Sequence, residues 1–308
     1  MKPELIKYWR QRHRLFSRFD QGIQLDDEGW YSVTPEAIAT HVAQRFHKWT
    51  KGRPIVLLDA FCGCGGNAIA FARLPNVRVI ATDVDREKLR RAAHNAAIYQ
   101  VPPEKLLLVE CNILFILEYC YKNGLYVLDQ PIATPEQAEA LMSQMPQPVE
   151  SETVAGFAVG GIDLLPRQLD AVFMDPPWGG VDYEVLGKRG YDLQRNMKIA
   201  RPNASVADDF FDSFQVQPRN KEERRAQFNN HVGDCVNGEE LLALAAAATS
   251  QHMCMYDVPR NTSHGSIVQA ALAAGYRGHV LLEEHAVNGR LKTVTAYMGV
   301  DWNEWNQP

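Results

Sequence analysis

The segment that most constrains the fold is RPIVLLDAFCGCGGNAIAFA, at residues 53–72. Its apolar run at 55–58 shows no polar alternation, which is typical of a strand buried on both faces of a parallel sheet. Gly63, Gly65 and Gly66 follow, and a helical stretch begins near Asn67. Glycine supplies positive φ angles and close backbone approach. The unit therefore predicts an α/β fold with a ligand site at the carboxyl end of the strand.

The same rhythm continues along the chain. Apolar strands are predicted at 77–85, 105–114, 169–175 and 252–259, with helices at 85–100, 238–250 and 263–274. The last two strands, at 277–287 and 290–300, are joined by Asn-Gly, which favours an antiparallel hairpin. These elements predict a Rossmann-like, mostly parallel seven-stranded sheet with a C-terminal antiparallel hairpin.

Two regions flank or interrupt this pattern. Residues 1–50 are predicted to form a small N-terminal helical extension, with a basic helix over 3–20 and a second helix capped by Thr34 and Pro35. Residues 51–308 are predicted to form the main domain. Segments of mixed charge at about 121–168 and 201–236 break the rhythm and are predicted to be surface insertions without catalytic elements.

Composition excludes several classes of function. The net charge of −5 over 308 residues excludes a molecule that clamps nucleic acid with its whole surface, although residues 1–20 carry a local charge of +4. The longest aliphatic run, at 241–248, is too short to cross a bilayer, so we expect no membrane partner. Six scattered cysteines without an apolar leader indicate reduced thiols in an intracellular protein. Cys62 and Cys64 lack further ligands at zinc spacing, and no metal is expected.

The glycine turn has two interpretations. GCGGNA at 63–68 fits the G-x-G-x-x-G/A fingerprint, and Asp83 ends the next strand, as in a dinucleotide site. Asp59, however, ends the first strand beside the turn, where it would repel a pyrophosphate. S-adenosylmethionine carries an ammonium and a sulfonium and no phosphate, so Asp59 favours this cofactor, with Asp83 on the ribose. A tight turn without a ligand is the structural alternative.

The stretch AVFMDPPWGGVDY, at 171–183, predicts the second half of the site. Asp175 ends the fourth predicted strand, beside the first, and shares its crevice. The carboxylate and a proline carbonyl can accept the N–H groups of an aromatic amine, and Pro176 fixes the backbone for that purpose. Trp178 can stack on a base, a contact worth about 1–3 kcal/mol, with cation–π attraction added if the base is cationic. A core tryptophan after a Pro-Pro turn is the alternative.

With both motifs placed, the chain resembles the trimethylguanosine synthase family of class I S-adenosylmethionine-dependent methyltransferases. The resemblance runs in family order through KYWRQRHRLFSRFD (7–20), EGWYSVTPEAIA (28–39), LLDAFCGCGGNAIAFA (57–72), PPWGGVDY (176–183), VPRN (258–261) and LKTVTAYMG (291–299). The first block begins so near residue 1 that we expect a longer natural N-terminus.

The resemblance implies transfer of two successive methyl groups from S-adenosylmethionine to N2 of a 7-methylguanosine (m7G) cap. Catalytic roles fall on Asp175, Pro176 and Trp178. The implied cap contacts are Lys7, Ser32, Asn95, Trp178, Tyr183, Arg260 and Lys292. The implied cofactor contacts are Phe16, Tyr31, Thr34, Asp59, Gly63, Gly65, Asp83, Asn112 and Asp175.

The chain departs from the family pattern at two of these positions. Asp175 stands where many members have serine, and Asn112 stands where an aspartate often contacts adenine. The implied substrates are m7G-capped small nuclear and small nucleolar RNAs, with RNP proteins as further partners. The implied location is the nucleus or nucleolus, and a monomer is expected.

Three other functions stay open from the sequence. An RNA adenine-N6 methyltransferase shares the DPPW motif, although there the motif precedes the donor turn. A non-catalytic cap-binding module would keep Trp178 but lose the donor site, which here retains its acids and glycines. A dinucleotide-dependent dehydrogenase rests on the glycine fingerprint alone.

Overall fold

The computed structural model describes residues 2–131, 134–201, 234–278 and 280–299. Its strands are β1 (Ile55–Asp59), β2 (Val77–Asp83), β3 (Leu106–Glu110), β4 (Tyr121–Lys122), β5 (Leu125–Tyr126), β6 (Glu152–Val154), β7 (Phe157–Gly160), β8 (Ala171–Met174), β9 (Lys198–Ala200), β10 (Cys235–Asn237), β11 (Met253–Pro259), β12 (Leu281–Val287) and β13 (Arg290–Met298). Its α-helices are α1 (Ile6–Trp9), α2 (Arg12–Leu15), α3 (Gly29–Ser32), α4 (Glu36–Thr50), α5 (Gly66–Ala72), α6 (Arg86–Ile98), α7 (Ile113–Phe115), α8 (Pro135–Gln144), α9 (Leu193–Asn196), α10 (Gly238–Ala248) and α11 (His264–Ala273).

The main sheet contains the predicted seven strands in the order β3-β2-β1-β8-β11-β13-β12. The first five are parallel, and β13 runs antiparallel to both β11 and β12. Asn288 and Gly289 turn the last hairpin with φ values of 53° and 70°, as a two-residue turn of this kind requires. The fold prediction is confirmed, including the hairpin and the position of β8 beside β1.

Two further strands extend this sheet beyond β3. Strand β7 pairs in parallel with β3, and β6 pairs antiparallel with β7. Both strands lie in the segment 121–168, so the prediction that this segment holds only surface insertions is wrong for 152–160. Phe157 and Val159 are buried, and Glu152 is held by Arg86 and Arg90 at 2.8 and 2.9 Å. Tertiary pairing, which the local sequence does not signal, overrides the polar composition of the segment.

Elsewhere in the two predicted insertions, Tyr121, Leu165 and Val236 are also buried in the core, so the surface prediction is wrong there too. Helix α8 buries none of its residues. In the second predicted insertion, residues 202–233 lie outside the described part of the chain. Arg201 precedes that gap and contacts Glu118 at 2.7 Å, and β10 follows it and pairs with β9.

The N-terminal extension is folded, but the prediction of one basic helix over 3–20 is wrong. Helices α1 and α2 are single turns, because Gln11 leaves helical geometry at φ −110° and Phe16 is extended at φ −141°. Phe16 thereby reaches the core and is 2 % exposed. Trp9, Phe19 and Trp30 pack with ring centroids 5.3–5.8 Å apart. Aromatic packing within the extension, rather than a continuous helix, explains the apolar spacing in this segment.

The sheet separates two apolar clusters. One cluster joins Leu5 and Leu15 of the extension to α4, α5 and α6 on one face, and the other lies beneath α10 and α11. The extension therefore shares a core with the helices of that face. All six cysteines are free thiols. Within the described ranges, none of the helices combines the length and apolar character that a bilayer crossing requires.

Phe157 tests whether the added strands belong to the core. Phe157→Ala removes a side chain that is 1 % exposed, so we expect a loss of about 3–5 kcal/mol in the free energy of unfolding. Urea denaturation measures the change. Met142→Ala, on the 75 % exposed side chain of α8, is the matched control and should change stability by less than about 0.5 kcal/mol. Equal effects for the two variants would show that β7 is peripheral.

Candidate active site

Four neighbouring parallel strands each carry an aspartate at the carboxyl edge of the sheet. Asp83 lies in β2, Asp59 in β1 and Asp257 in β11. Asp175 directly follows β8. Side chains alternate along a strand, and the residue two positions before each aspartate lies in the same apolar cluster. All four carboxylates therefore face the side of the sheet covered by α4, α5 and the N-terminal extension.

Asp59 is the most deeply buried of the four. It is 0 % exposed, and neither carboxylate oxygen has a hydrogen-bond partner. Burial, followed by the charge of Asp175, raises its pKa to about 8. The nearby backbone amides of Phe61 and Ala68 act to lower the pKa of Asp59, although neither amide is placed for a normal hydrogen bond. A buried carboxylate without donors is costly, so this position fits a cationic ligand group.

Asp175 is held by the extension and by α5. Its Oδ2 accepts from Thr34 Oγ1 at 3.0 Å and from Asn67 Nδ2 at 3.5 Å. Asn67 also donates to Thr34, at 3.1 Å. Burial raises the pKa of Asp175 above its usual value, while these two donors lower it. The predicted capping role of Thr34 is wrong, because its hydroxyl is used by Asp175 and Pro35 occupies the N-cap position of α4.

Asp257 was not predicted as a site residue. In the register of β8 and β11, Tyr256 lies opposite Met174, which places Asp257 beside Asp175. Its Oδ1 accepts from Thr295 at 2.8 Å, while Oδ2 has no partner. Burial and the charge of Asp175 raise its pKa well above the usual value. The available signal was an acid inside the otherwise apolar strand MCMYDVP.

The glycine turn lies directly under the extension. Gly63 and Gly65 have φ values of 51° and 93°, and the Gly63 amide donates to Asp83 at 3.1 Å. Burial raises the pKa of Asp83. A Cβ on Gly66 would lie 2.8 Å from Val33 and 4.0 Å from Phe16. The turn is therefore open on the Gly63 side, where no atom lies within 4 Å of a Cβ position, and closed by the extension on the other.

Trp178, Tyr183 and Arg260, three of the predicted cap residues of the main domain, lie next to one another. The rings of Trp178 and Tyr183 lie 5.5 Å apart at 85°, and the half-buried Trp178 keeps an unpartnered indole N–H. Burial raises the pKa of Tyr183, and the nearby Arg260 opposes the rise. Arg260 contacts Glu184 at 2.7 Å and donates to the Leu291 carbonyl at 3.3 Å, next to Lys292.

Lys7, Tyr31 and Ser32, three predicted residues of the extension, are exposed. Lys7 Nζ lies 4.7 Å from the ring of Tyr8, and that ring lies 6.3 Å from Tyr31. Tyr31 is 43 % exposed. Ser32 donates to the Glu28 carbonyl at 3.0 Å. Phe16 and Thr34, by contrast, lie in the crevice itself.

The two predicted asparagines serve local structure. Asn95 is 0 % exposed, and its amide N–H groups donate to Gln24 and Cys64 at 2.9 and 3.0 Å. In this placement the Asn95 side chain ties the extension to the glycine turn, and its contact with a cap stays a prediction. Asn112 caps α7 by accepting from Leu114 at 2.9 Å and donates to Ala200 at 3.1 Å.

One group of described side chains has metal-ligand character. Donor atoms of His41, Glu283 and His285 lie within 4.8 Å of one another. Glu283 already contacts Arg45 at 3.3 Å and accepts from Tyr297 at 3.0 Å. The Arg45 guanidinium supplies the positive charge that a metal would bring, so this group is an ion-paired network.

The donor set of the crevice fits S-adenosylmethionine better than a dinucleotide. Asp59, Asp175 and Asp257 bring three carboxyl groups into one crevice, where burial disfavours their charged forms, and the first two flank the glycine turn. An ammonium or sulfonium would stabilise the carboxylates, whereas a pyrophosphate would repel them. Asp59 and Asp83 would hold the cofactor, and the open side of Gly63 leaves room for it.

Asp59 should destabilise the ligand-free protein as the pH rises. The fold holds its proton up to about pH 8, whereas the unfolded chain releases it near the ordinary pKa of an aspartate. The folded state therefore binds more protons across that window, and stability falls from about pH 4 to pH 8. Asp59→Asn should raise the free energy of unfolding at pH 8 by about 1–3 kcal/mol and flatten this decline, as measured by denaturation at several pH values.

Asp170→Asn is the matched control, since this buried acid accepts from Val56 at 2.8 Å and Ser250 at 3.1 Å. It should destabilise the protein. A loss of stability in Asp59→Asn as well would show that the Asp59 carboxylate has an internal partner.

Comparison with known proteins places the chain in a family. Residues 55–301 match the family described as RNA cap guanine-N2 methyltransferase. The trimethylguanosine synthase of Schizosaccharomyces pombe is 34 % identical over 189 residues, 61 % of this chain and 59 % of that protein. The Saccharomyces cerevisiae enzyme is 32 % identical over 196 residues, 63 % of this chain and 47 % of that protein. The chain thus spans about half the length of these curated relatives.

Solved structures show weaker similarity. A methyltransferase from Pyrococcus furiosus gives a TM-score of 0.45 at 13 % identity, covering 95 % of this chain and 99 % of that one. Magnesium protoporphyrin IX methyltransferase from Synechocystis, with bound SAH, gives 0.43 at 8 %, covering 95 % and 98 %. The family match extends over β1 to β13 and includes both the glycine turn and the DPPW loop. The chain belongs to the RNA cap guanine-N2 methyltransferase family.

Proposed function

We propose that this protein transfers methyl groups from S-adenosylmethionine to the exocyclic N2 of an m7G cap, in two successive steps that yield 2,2,7-trimethylguanosine. The observation that carries the proposal is the position of a buried carboxyl group without hydrogen-bond partners, Asp59, beside the DPPW loop. A cationic ligand group would compensate the Asp59 carboxylate. Asp175, which accepts from Thr34 and Asn67, precedes Trp178 by three residues. The name of the curated relatives supports the same product.

Asp175 is the group that positions the amine. Thr34 and Asn67 both donate to its Oδ2, which leaves Oδ1 for an N–H of the guanine amine. Pro176 fixes the backbone at this point, so the acceptor is preorganised. The raised pKa of Asp175 also lets the carboxylate take the amine proton and hold it.

Trp178 supplies the base contact. An m7G base is cationic, so an indole face adds cation–π attraction to stacking. Tyr183 holds the indole edge-on. Lys7, Arg260 and Lys292 would neutralise the cap triphosphate, with Ser32 and Tyr31 on the same side of the extension.

S-adenosylmethionine, when bound, supplies an electrophilic methyl group on its sulfonium. Asp59 and Asp83 would hold its cationic and ribose ends, and Phe16 would exclude water from above the turn. Asn112, after β3, would face the adenine. The guanine amine carries two hydrogens, so the same acceptor serves each of two transfers.

The proposed substrates are m7G-capped small nuclear and nucleolar RNAs, which an RNP would present. Nuclear or nucleolar residence and a monomeric state belong to the same proposal and rest on the family resemblance. The adenine-N6 and cap-binding alternatives gain no support from a family match that extends over both the donor turn and the DPPW loop. The dehydrogenase alternative conflicts with the charge of Asp59.

Mass spectrometry of small cap analogues tests the proposal. Incubation of m7GTP with S-adenosylmethionine should add one and then two methyl groups, whereas GTP, which lacks the N7 positive charge, should stay unmethylated. Trp178→Ala should lower kcat/KM for m7GTP by about 10- to 100-fold, which is the loss of about 1–3 kcal/mol of stacking.

Trp178→Phe is the matched variant, because it keeps an aromatic face and should recover most of the loss. Leu272→Ala replaces a 57 % exposed side chain outside the site. It is the control for effects of mutation and purification that do not depend on the site. Unmodified m7GTP despite calorimetric binding of S-adenosylmethionine would overturn the proposed activity. Equal methylation of GTP and m7GTP would overturn the role of Trp178.

A further inference from the structure

A basic cavity lies between the N-terminal extension and the C-terminal hairpin. Its volume is about 360 Å³, and it is lined by Gln11, Arg14, Val287, Asn288, Arg290 and Lys292. Three of the six lining residues are cationic and none is acidic. Oriented with its oxygen towards the cavity, the Asn288 amide accepts from both terminal nitrogens of Arg14 at 2.8 and 2.9 Å. The hairpin turn and the extension thus meet at this point.

Three cations of the extension have partners away from the cavity. Lys2 contacts Asp27 at 2.8 Å, Arg12 contacts Asp20 at 3.3 Å, and Arg18 donates to the Ile98 carbonyl at 2.8 Å. Arg14 makes no salt bridge with any residue that the structure describes. Arg290 and Lys292 likewise have no acidic partner in the described ranges. The cavity therefore brings together three cationic side chains that have no acidic partner among the described residues.

The cavity continues the row of predicted cap contacts. That row runs from Trp178 through Tyr183 to Arg260, whose guanidinium bonds the carbonyl of Leu291. Lys292 follows Leu291 and lines the cavity. A cap base at Trp178 with its triphosphate along Arg260 would therefore direct the first transcribed nucleotides towards Arg14 and Arg290.

We propose that this cavity binds the phosphodiester backbone of the capped RNA immediately beyond the cap triphosphate. The inference rests on the proposed function and deepens it, because it makes the RNA body, and not only the cap, part of the substrate. Phosphate contacts of this kind are independent of base sequence. They suit an enzyme whose protein net charge is −5 and whose positive charge is local.

The proposed contacts have a defined salt signature. Each phosphate neutralised on a single strand contributes about −0.7 to the slope of log K against log salt. Loss of one cationic contact should therefore weaken RNA binding about fivefold at low salt. It should also make the slope of log K against log salt less steep by about 0.7. Binding of a cap without an RNA body should not change.

Fluorescence anisotropy tests the inference separately from catalysis. The direct ligand is a labelled capped RNA of about ten nucleotides. Unlabelled m7GpppG serves as the competitor, and S-adenosylhomocysteine is present throughout. Arg14→Ala and Arg290→Gln should each weaken binding of the capped RNA about fivefold and lower its salt slope, with m7GpppG affinity changed less than about twofold.

Arg277→Ala is the matched control, because this exposed arginine precedes β12 at the opposite end of the same hairpin. Arg290→Gln, on the hairpin, keeps the test valid if Arg14→Ala disturbs the folding of α2. Equal losses for m7GpppG and capped RNA would assign the cavity to the triphosphate and overturn the inference. Unchanged RNA binding in both variants would overturn it too.

A parallel methylation assay with m7GpppG distinguishes failure of the proposed methyl transfer from failure of the proposed RNA-body site. Failure to methylate m7GpppG overturns the proposed function, whereas the anisotropy result stands on its own. Normal methylation of m7GpppG with no preference for the longer capped RNA overturns only the RNA-body site.

Discussion

The structure depends on acidic side chains that are buried together at one edge of its sheet. Asp59, Asp175 and Asp257 lie at the carboxyl ends of adjacent strands on the same face, and their carboxyl groups have few donors. Nearby elements are arranged around these carboxyl groups. Thr34 gives its hydroxyl to Asp175, although the same hydroxyl would stabilise the start of α4. Departures from local structural preference are expected at functional sites.

Most of the sheet follows from the sequence, because buried parallel strands appear as unbroken apolar runs and the Asn-Gly turn marks the hairpin. The extension was predicted less well. Its apolar residues have helical spacing, yet Phe16 reaches the core only because the chain leaves helical geometry there. Strands β6 and β7 escaped prediction because their pairing with β3 is decided by tertiary contacts, which polar flanking residues do not reveal.

The candidate site was predicted where a motif fixed both residue type and position. The glycine turn and the DPPW loop meet as expected beside β1 and β8. Asp257 was missed because a single acid within an apolar strand belongs to no short motif. The local hydrogen bonds of Asn95 could not be predicted either, because a matching sequence position does not show which neighbours the side chain will bond.

The two outer strands of the main sheet have a consequence for association between chains. Strand β6 covers the edge of β7 with only three residues, one of them the ion-paired Glu152. At the other end, β12 carries consecutive charged residues, and its pairing with β13 is bulged between His285 and Ala286. Short, charged and bulged edges resist pairing with a second chain. In the described part of the chain, the main sheet is therefore protected against edge-to-edge aggregation at both ends, even though nine strands lie side by side.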